Sequence, residues 1–149
     1  MKGLLFLLLS ISTLAYSQEN NTKVEWSDAI SWKNDSIVEV HVIAEIDEHW
    51  HIYGMDLGDE LGPIPTSIIF NQNDSLLLKD AIHREKPITS FDESFGIEVT
   101  YYEGRVVFTQ TFVFKGDTTL KYGVEYMACD NSQCLPPEFI EKSIVIKKL

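Results

Sequence analysis

Cys129 and Cys134 are the only cysteines in the chain, and four polar turn formers, Asp130-Asn131-Ser132-Gln133, separate them. An alternating segment runs into Cys129, and Leu135-Pro136-Pro137 follows Cys134, where the prolines cannot donate ladder hydrogen bonds. The two thiols should therefore face each other across a tight turn, within the Cα separation that a disulfide needs. Such a pair can do redox chemistry, because a short turn-borne disulfide is broken and re-formed without unfolding its domain. It can equally be a structural staple, although closing so small a loop removes only about 2 kcal/mol of chain entropy. An inter-sheet bridge of the antibody kind joins distant strands, which a four-residue spacer cannot do. His49 and His51 could complete a Cys2His2 zinc set, but nothing in the spacing brings the four together, and no metal is expected. A blue-copper site would want a histidine after its cysteine, and the last histidine is His83.

The elements that must hold the pair read as strands. Over residues 36–47, Val38, Val40, Val42, Ala44 and Ile46 alternate with Glu39, His41, Ile43 and Glu45, the period of a strand with one core face. Residues 105–114 and 118–128 repeat the pattern, the first through Val106, Phe108, Phe112 and Phe114 and the second through Leu120, Tyr122, Val124, Tyr126 and Ala128. Shorter candidates lie at 24–32, 50–55, 66–70, 97–102 and 139–146, divided by turn-rich pieces such as Lys33-Asn34-Asp35 and Lys115-Gly116-Asp117. Residues 75–86 fit a short helix or a strand. About eight strands in one small chain predict an all-β, immunoglobulin-like two-sheet antiparallel sandwich.

At 149 residues with 44% hydrophobic and 23% charged residues, one folded domain is the natural count. Met1-Lys2-Gly3, the apolar run from Leu4, and Ala15-Tyr16-Ser17 read as a secretory leader over residues 1–17, too short to span a bilayer. The expected mature domain, 18–149, is exported and soluble, in an oxidising compartment where a nearby cysteine pair is found as a disulfide. Losing Lys2 with the leader takes the formal net charge from −11 to −12. A chain this acidic repels phosphate backbones, so nucleic acid and anionic membrane surfaces are excluded as partners. No cofactor is expected.

The chain resembles the N-terminal, periplasmic, immunoglobulin-like domain of the transmembrane thiol:disulfide interchange protein DsbD and its bacterial relatives. The resemblance runs from Trp50-His51-Ile52-Tyr53, through Asp92-Glu93-Ser94-Phe95-Gly96, to Cys129 and Cys134-Leu135-Pro136-Pro137-Glu138. It implies a relay of reducing equivalents from a thioredoxin-like donor, through this cysteine pair, to oxidised periplasmic proteins. Thioredoxin-fold partners follow: a membrane-linked reductase as donor, and a disulfide isomerase or cytochrome c maturation thioredoxin as acceptor. Carried over by position, Cys134 forms the mixed disulfide with partners and Cys129 resolves it. Phe95 takes the place of the aromatic cap over the disulfide, with Asp92, Glu93 and Gly96 around it and Phe91 as a substitute one turn away. Trp50, Tyr53, Pro136 and Glu138 neighbour the pair. No apolar span follows the leader, so the donor is expected to act in trans, and without a Cys-x-x-Cys motif independent turnover should be weak. The alternative is a non-catalytic secreted binding module whose hairpin disulfide is structural.

Asp92, Glu93, Asp130 and Glu138 all fall in or beside this site, and neighbouring carboxylates disfavour a thiolate. Cys134 of the reduced protein should therefore titrate at or above the ordinary thiol value of about 8.5. Alkylation rates followed against pH check this, and a value well below neutral contradicts it.

Overall fold

The computed structural model describes residues 22–57 and 62–148, so the leader expected over residues 1–17 lies outside the described residues. Among these residues there is no helix, and twelve strands follow one another: β1 (Val24–Asn34), β2 (Ile37–Ile46), β3 (His51–Tyr53), β4 (Ser67–Asn71), β5 (Leu76–Leu78), β6 (His83–Arg84), β7 (Ile88–Asp92), β8 (Ile97–Glu103), β9 (Arg105–Phe114), β10 (Thr118–Tyr126), β11 (Ala128–Cys129) and β12 (Glu138–Ile146). Every pairing is antiparallel. One sheet has the order β1-β2-β9-β5, with β6 also on β9; the others run β12-β10-β4 and β11-β3-β8-β7. The protein is an all-β, immunoglobulin-like sandwich, as the alternating residues predict.

Alternation accounts for the main core. Val38, Val40, Val42 and Ala44 of β2 are wholly buried, and across β9 they meet Val106, Phe108 and Phe112. Leu120, Tyr122, Val124 and Tyr126 of β10 close the core from the facing sheet. Gln110 falls on the inward row of β9 and is buried; its Nε2 donates to the carbonyls of Asp80 and Thr111, so no amide hydrogen is left unpaired there. The 75–86 segment resolves to β5 and β6 on the edge of β9, with Leu76 fully buried opposite Phe114.

Two departures from the sequence pattern build the site. The segment expected as one strand over 118–128 breaks at Met127: Tyr126 pairs with Glu138 of β12, whereas Ala128 and Cys129 pair with Ile52 and His51 of β3. The chain thus passes from one sheet to another just before the first cysteine. The second departure is β7, whose largely exposed residues carry no apolar alternation because it is an outer strand with a neighbour on one side only.

The β11-β3-β8-β7 sheet consequently has two apolar faces. Ile52, Tyr102 and Ala128 join the main core, while Tyr53, Val99, Met127 and Cys129 form a second, smaller cluster. Phe108 ties the layers together, with its ring 6.1 Å from that of Trp26 and 5.5 Å from that of Tyr102. Phe108→Ala should lower unfolding stability by about 3–5 kcal/mol, the usual range for a fully buried phenylalanine, and denaturant melts measure it.

Candidate functional site

Cys129 and Cys134 are joined in a disulfide of 2.03 Å, with their Cα atoms 4.1 Å apart. They are directly opposed residues of a small hairpin: the Asp130 amide donates to the Gln133 carbonyl on one side, and the Leu135 amide to the Ala128 carbonyl on the other. This is the narrow, non-hydrogen-bonded type of antiparallel pair, in which side chains lie closest. Asp130 shapes the turn, its Oδ1 accepting from the amides of Ser132 and Gln133 and from the Ser132 hydroxyl. These bonds, the Ser132 amide foremost, hold its carboxyl below the usual carboxylate range. The cysteines differ sharply in exposure: Cys129 is 1% exposed within the second cluster, and Cys134 is exposed to solvent.

Opposite the disulfide hairpin stands the hairpin of β7 and β8. Its tip is Glu93-Ser94-Phe95-Gly96, closed by the Gly96 amide donating to the Asp92 carbonyl. Gly96 has φ +69°, a conformation that glycine takes without a Cβ penalty. Asp92 is the joint of this tip. Its Oδ1 accepts from the amides of Ser94 and Phe95, and its Oδ2 accepts from the Tyr53 hydroxyl at 2.8 Å. Burial, together with that bond to a carboxylate, pushes the Tyr53 phenol well above its ordinary value, so it stays a donor. Phe95 meets Tyr53 edge-on, with ring centroids 6.0 Å apart, and packs against the cluster that contains Cys129.

Between the two hairpins lies a cleft of about 510 Å³, walled by residues 90–95 and 130–134. Its floor includes His51, Tyr53, Val99, Tyr101 and Glu103. Four carboxylates line it, those of Asp92, Glu93, Glu103 and Asp130, and neither lysine nor arginine does. The half-buried His51 lies on the floor, its ring 5.2 Å from that of Tyr53 and 5.1 Å from that of Tyr101. Burial draws the His51 imidazole below its ordinary value, outweighing the opposing pull of Asp92, Glu103 and Asp130.

The sequence-derived residues divide accordingly. Cys129, Cys134, Asp92, Glu93, Phe95 and Tyr53 meet around the cleft or beneath it. Gly96 shapes the tip without lining the cleft. Phe91, the substitute aromatic, is 63% exposed on the wall, whereas Phe95 packs inward. Trp50 lies in the main core under the Lys23 ammonium, away from the cleft, because the half-turn before β3 sends it to the other side of the sheet. Pro136 is exposed past the disulfide hairpin, and Glu138 stands opposite Tyr126 on β12, where it contributes to raising the Tyr126 phenol. The expected ring of acids therefore contains Glu103 in place of Glu138. His49 is on an exposed turn at φ 70°, apart from His51, so the Cys2His2 arrangement is not formed. His51, Tyr101 and Glu103 are the site residues that sequence reasoning passed over; the alternation of β3 and β8 holds the signal, but only their register reveals it.

The fold and the site together define an immunoglobulin-like sandwich with a hairpin disulfide beside an acidic, aromatic-floored cleft. The family model described as "Thiol:disulfide interchange protein DsbD, N-terminal" matches residues 18–144, and the chain belongs to that family. Among solved structures it is similar to the reduced DsbD N-terminal domain of Neisseria meningitidis, with TM-score 0.54 and 18% identity over 83% of this chain and 86% of that one. It is also similar to the N-terminal periplasmic domain of ScsB from Proteus mirabilis, with TM-score 0.59 and 18% identity over 88% of this chain, and it spans 49% of that longer chain. A third similar structure is the complex between the DsbD N-terminal and PilB N-terminal domains of Neisseria meningitidis, with TM-score 0.52 and 19% identity over 80% of both chains. At these identities the likeness to the structures is one of fold. No curated protein sequence matches the chain.

Because Asp92 bonds both to the tip amides and to Tyr53 on the floor, Asp92→Ala should free Phe95 and speed reduction of the disulfide by dithiothreitol. Loss of bonds worth about 0.5–1.5 kcal/mol each corresponds to roughly a tenfold change. Asp92→Asn keeps an acceptor oxygen and should change the rate less. Unaltered reduction kinetics in Asp92→Ala, with the circular dichroism of the native fold, contradict this role.

Proposed function

We propose that the domain, expected to be periplasmic over residues 18–149, exchanges disulfides with thioredoxin-fold proteins and so relays reducing equivalents. The observation that carries this reading is the unequal exposure of the pair: Cys134 at the mouth of the cleft and Cys129 buried behind it. In the reduced domain the Cys134 thiolate attacks a partner disulfide, forming a mixed disulfide and releasing one partner thiolate. Cys129 then attacks the Cys134 sulfur, the partner's second sulfur leaves with the electron pair, and the domain is oxidised by two electrons as the partner is reduced. A thioredoxin-like donor of a membrane-linked reductase returns the pair to its thiols by the reverse steps.

Phe95, carried on the Asp92-anchored tip, acts as the cap that keeps stray thiols away until a partner displaces the hairpin. Phe95 packs against the cluster that holds Cys129 and lines the same cleft as Cys134. Family membership supports the chemistry, and the published pairing of a DsbD N-terminal domain with a PilB domain supports a protein partner. Acceptors of the disulfide-isomerase or cytochrome c maturation type rest on family membership alone. Among the described residues no helix is long and apolar enough to cross a membrane.

Cys129→Ala should accumulate mixed disulfides with thioredoxin-fold proteins on Cys134, whereas Cys134→Ala should trap none. The reduction potential of the pair, measured against glutathione, should lie above about −300 mV. A lower potential with nothing trapped would assign the disulfide a structural role.

A further inference from the structure

His51 and Cys129 are directly paired in the ladder of β3 and β11, so their side chains leave the sheet on the same face at neighbouring positions. The imidazole also lines the cleft together with Cys134. Cys129 is buried beneath a cleft lined by the carboxylates of Asp92, Glu103 and Asp130, and burial opposes forming a thiolate there. Yet Cys129 must become a thiolate to close the disulfide, and solvent does not reach it.

We propose that His51 is the proton acceptor that activates Cys129 for ring closure, and that it returns the proton to the departing partner thiol. The inference rests on the exchange reading above. In the step, His51 takes the proton from the Cys129 thiol as the Cys129 sulfur bonds to the Cys134 sulfur. The bond from Cys134 to the partner sulfur breaks, its electron pair leaves with that sulfur, and the imidazolium protonates it. The pair loses two electrons, the partner's sulfurs gain two, and the imidazole ends neutral.

The surroundings suit this task. Tyr53 on the same strand and Tyr101 on β8 enclose the ring, and half-burial keeps it neutral and ready to accept a proton near neutral pH. Glu103 from β8, Asp92 from β7 and Asp130 from the disulfide hairpin face it and favour the imidazolium once it forms, so the proton is held long enough to be passed on.

Reduced protein mixed with the neutral reagent dithiodipyridine separates the steps, since one chromogenic thione is released when Cys134 attacks and a second when Cys129 closes the ring. This leaving group departs as a stabilised anion and takes its proton on the ring nitrogen from solvent, so it needs none from His51 and the second phase reports removal of the Cys129 proton. In His51→Gln the first phase serves as the reference against which the second is read. The second should slow at pH 7 by up to about 30-fold, the factor by which a thiol of ordinary pKa near 8.5 is un-ionised there. The wild-type closure rate should level off above the His51 titration, below pH 6.5, whereas the variant's rate should keep rising toward the thiol pKa. Added imidazole should restore closure in His51→Ala. A second phase that is unchanged, or that slows with the wild-type pH profile and no imidazole rescue, overturns the role of His51. Release of a single thione, or of none, by the wild-type protein overturns the exchange reading instead.

Discussion

The pairing of β11 with β3 is the contact on which the site depends. Two residues, Ala128 and Cys129, leave the sheet of β10 and join Ile52 and His51, and that transfer decides which core each side chain enters. Ala128 goes to the main core, and Cys129 goes to the small cluster under the cleft. Had the strand continued in its first sheet, alternation would still have turned Cys129 away from Ala128, but with β12 beside it in place of His51 and Tyr53. The buried cysteine, the neutral histidine and the aromatic floor are brought together by one change of neighbour. Met127, buried in the second cluster, occupies the crossing point, a place suited to an unbranched side chain that fills irregular space.

The cleft is built with little rigid material, and its geometry is held by carboxylates acting as acceptors. Asp92 and Asp130 do parallel work in the two hairpins, each folding its own turn by taking amides two and three residues ahead. Asp92 alone reaches across to the floor, through Tyr53. The tip bearing Phe95 is therefore attached to the sandwich by one side-chain hydrogen bond and one ring contact, besides its own strands. Such an attachment is firm at rest and can be undone without disturbing the main core, which shares no residue with this cluster. A partner that inserts between the hairpins has to displace only that.

Negative charge has two effects at this site. Four carboxylates around a disulfide oppose thiolate formation and repel small anionic thiols, which slows exchange by chance encounter. They also favour cations, whether an imidazolium on the floor or basic groups on an approaching surface. On the proposed exchange reading, charge adds to the cap in favouring a protein partner over free thiols.

How much of this the sequence carried can be seen in particular residues. Val38, Val40, Val42 and Ala44 made β2 legible, because period two in apolar residues is the direct consequence of one buried face. Cys129 and Cys134 were readable as a pair because four turn formers leave a short chain few other ways to go. The acidic tip before Phe95 and Gly96 was legible only through the resemblance to the family, not from local turn chemistry. β7 was not, since an outer strand with exposed residues need not alternate, and the break at Met127 was not, since Tyr126, Ala128 and the residues before them keep an unbroken period across two sheets. Trp50 and Glu138, which the resemblance sets beside the pair, are carried away from the cleft by the backbone, Trp50 into the main core and Glu138 opposite Tyr126. The chain's composition and spacing thus determined an acidic all-β domain with a disulfide hairpin at one end. Only the tertiary structure decided that Cys129 would be buried opposite His51 and that Glu103 would complete the acidic cleft, because strand register is fixed by the packing of both faces at once and not by any local run of residues.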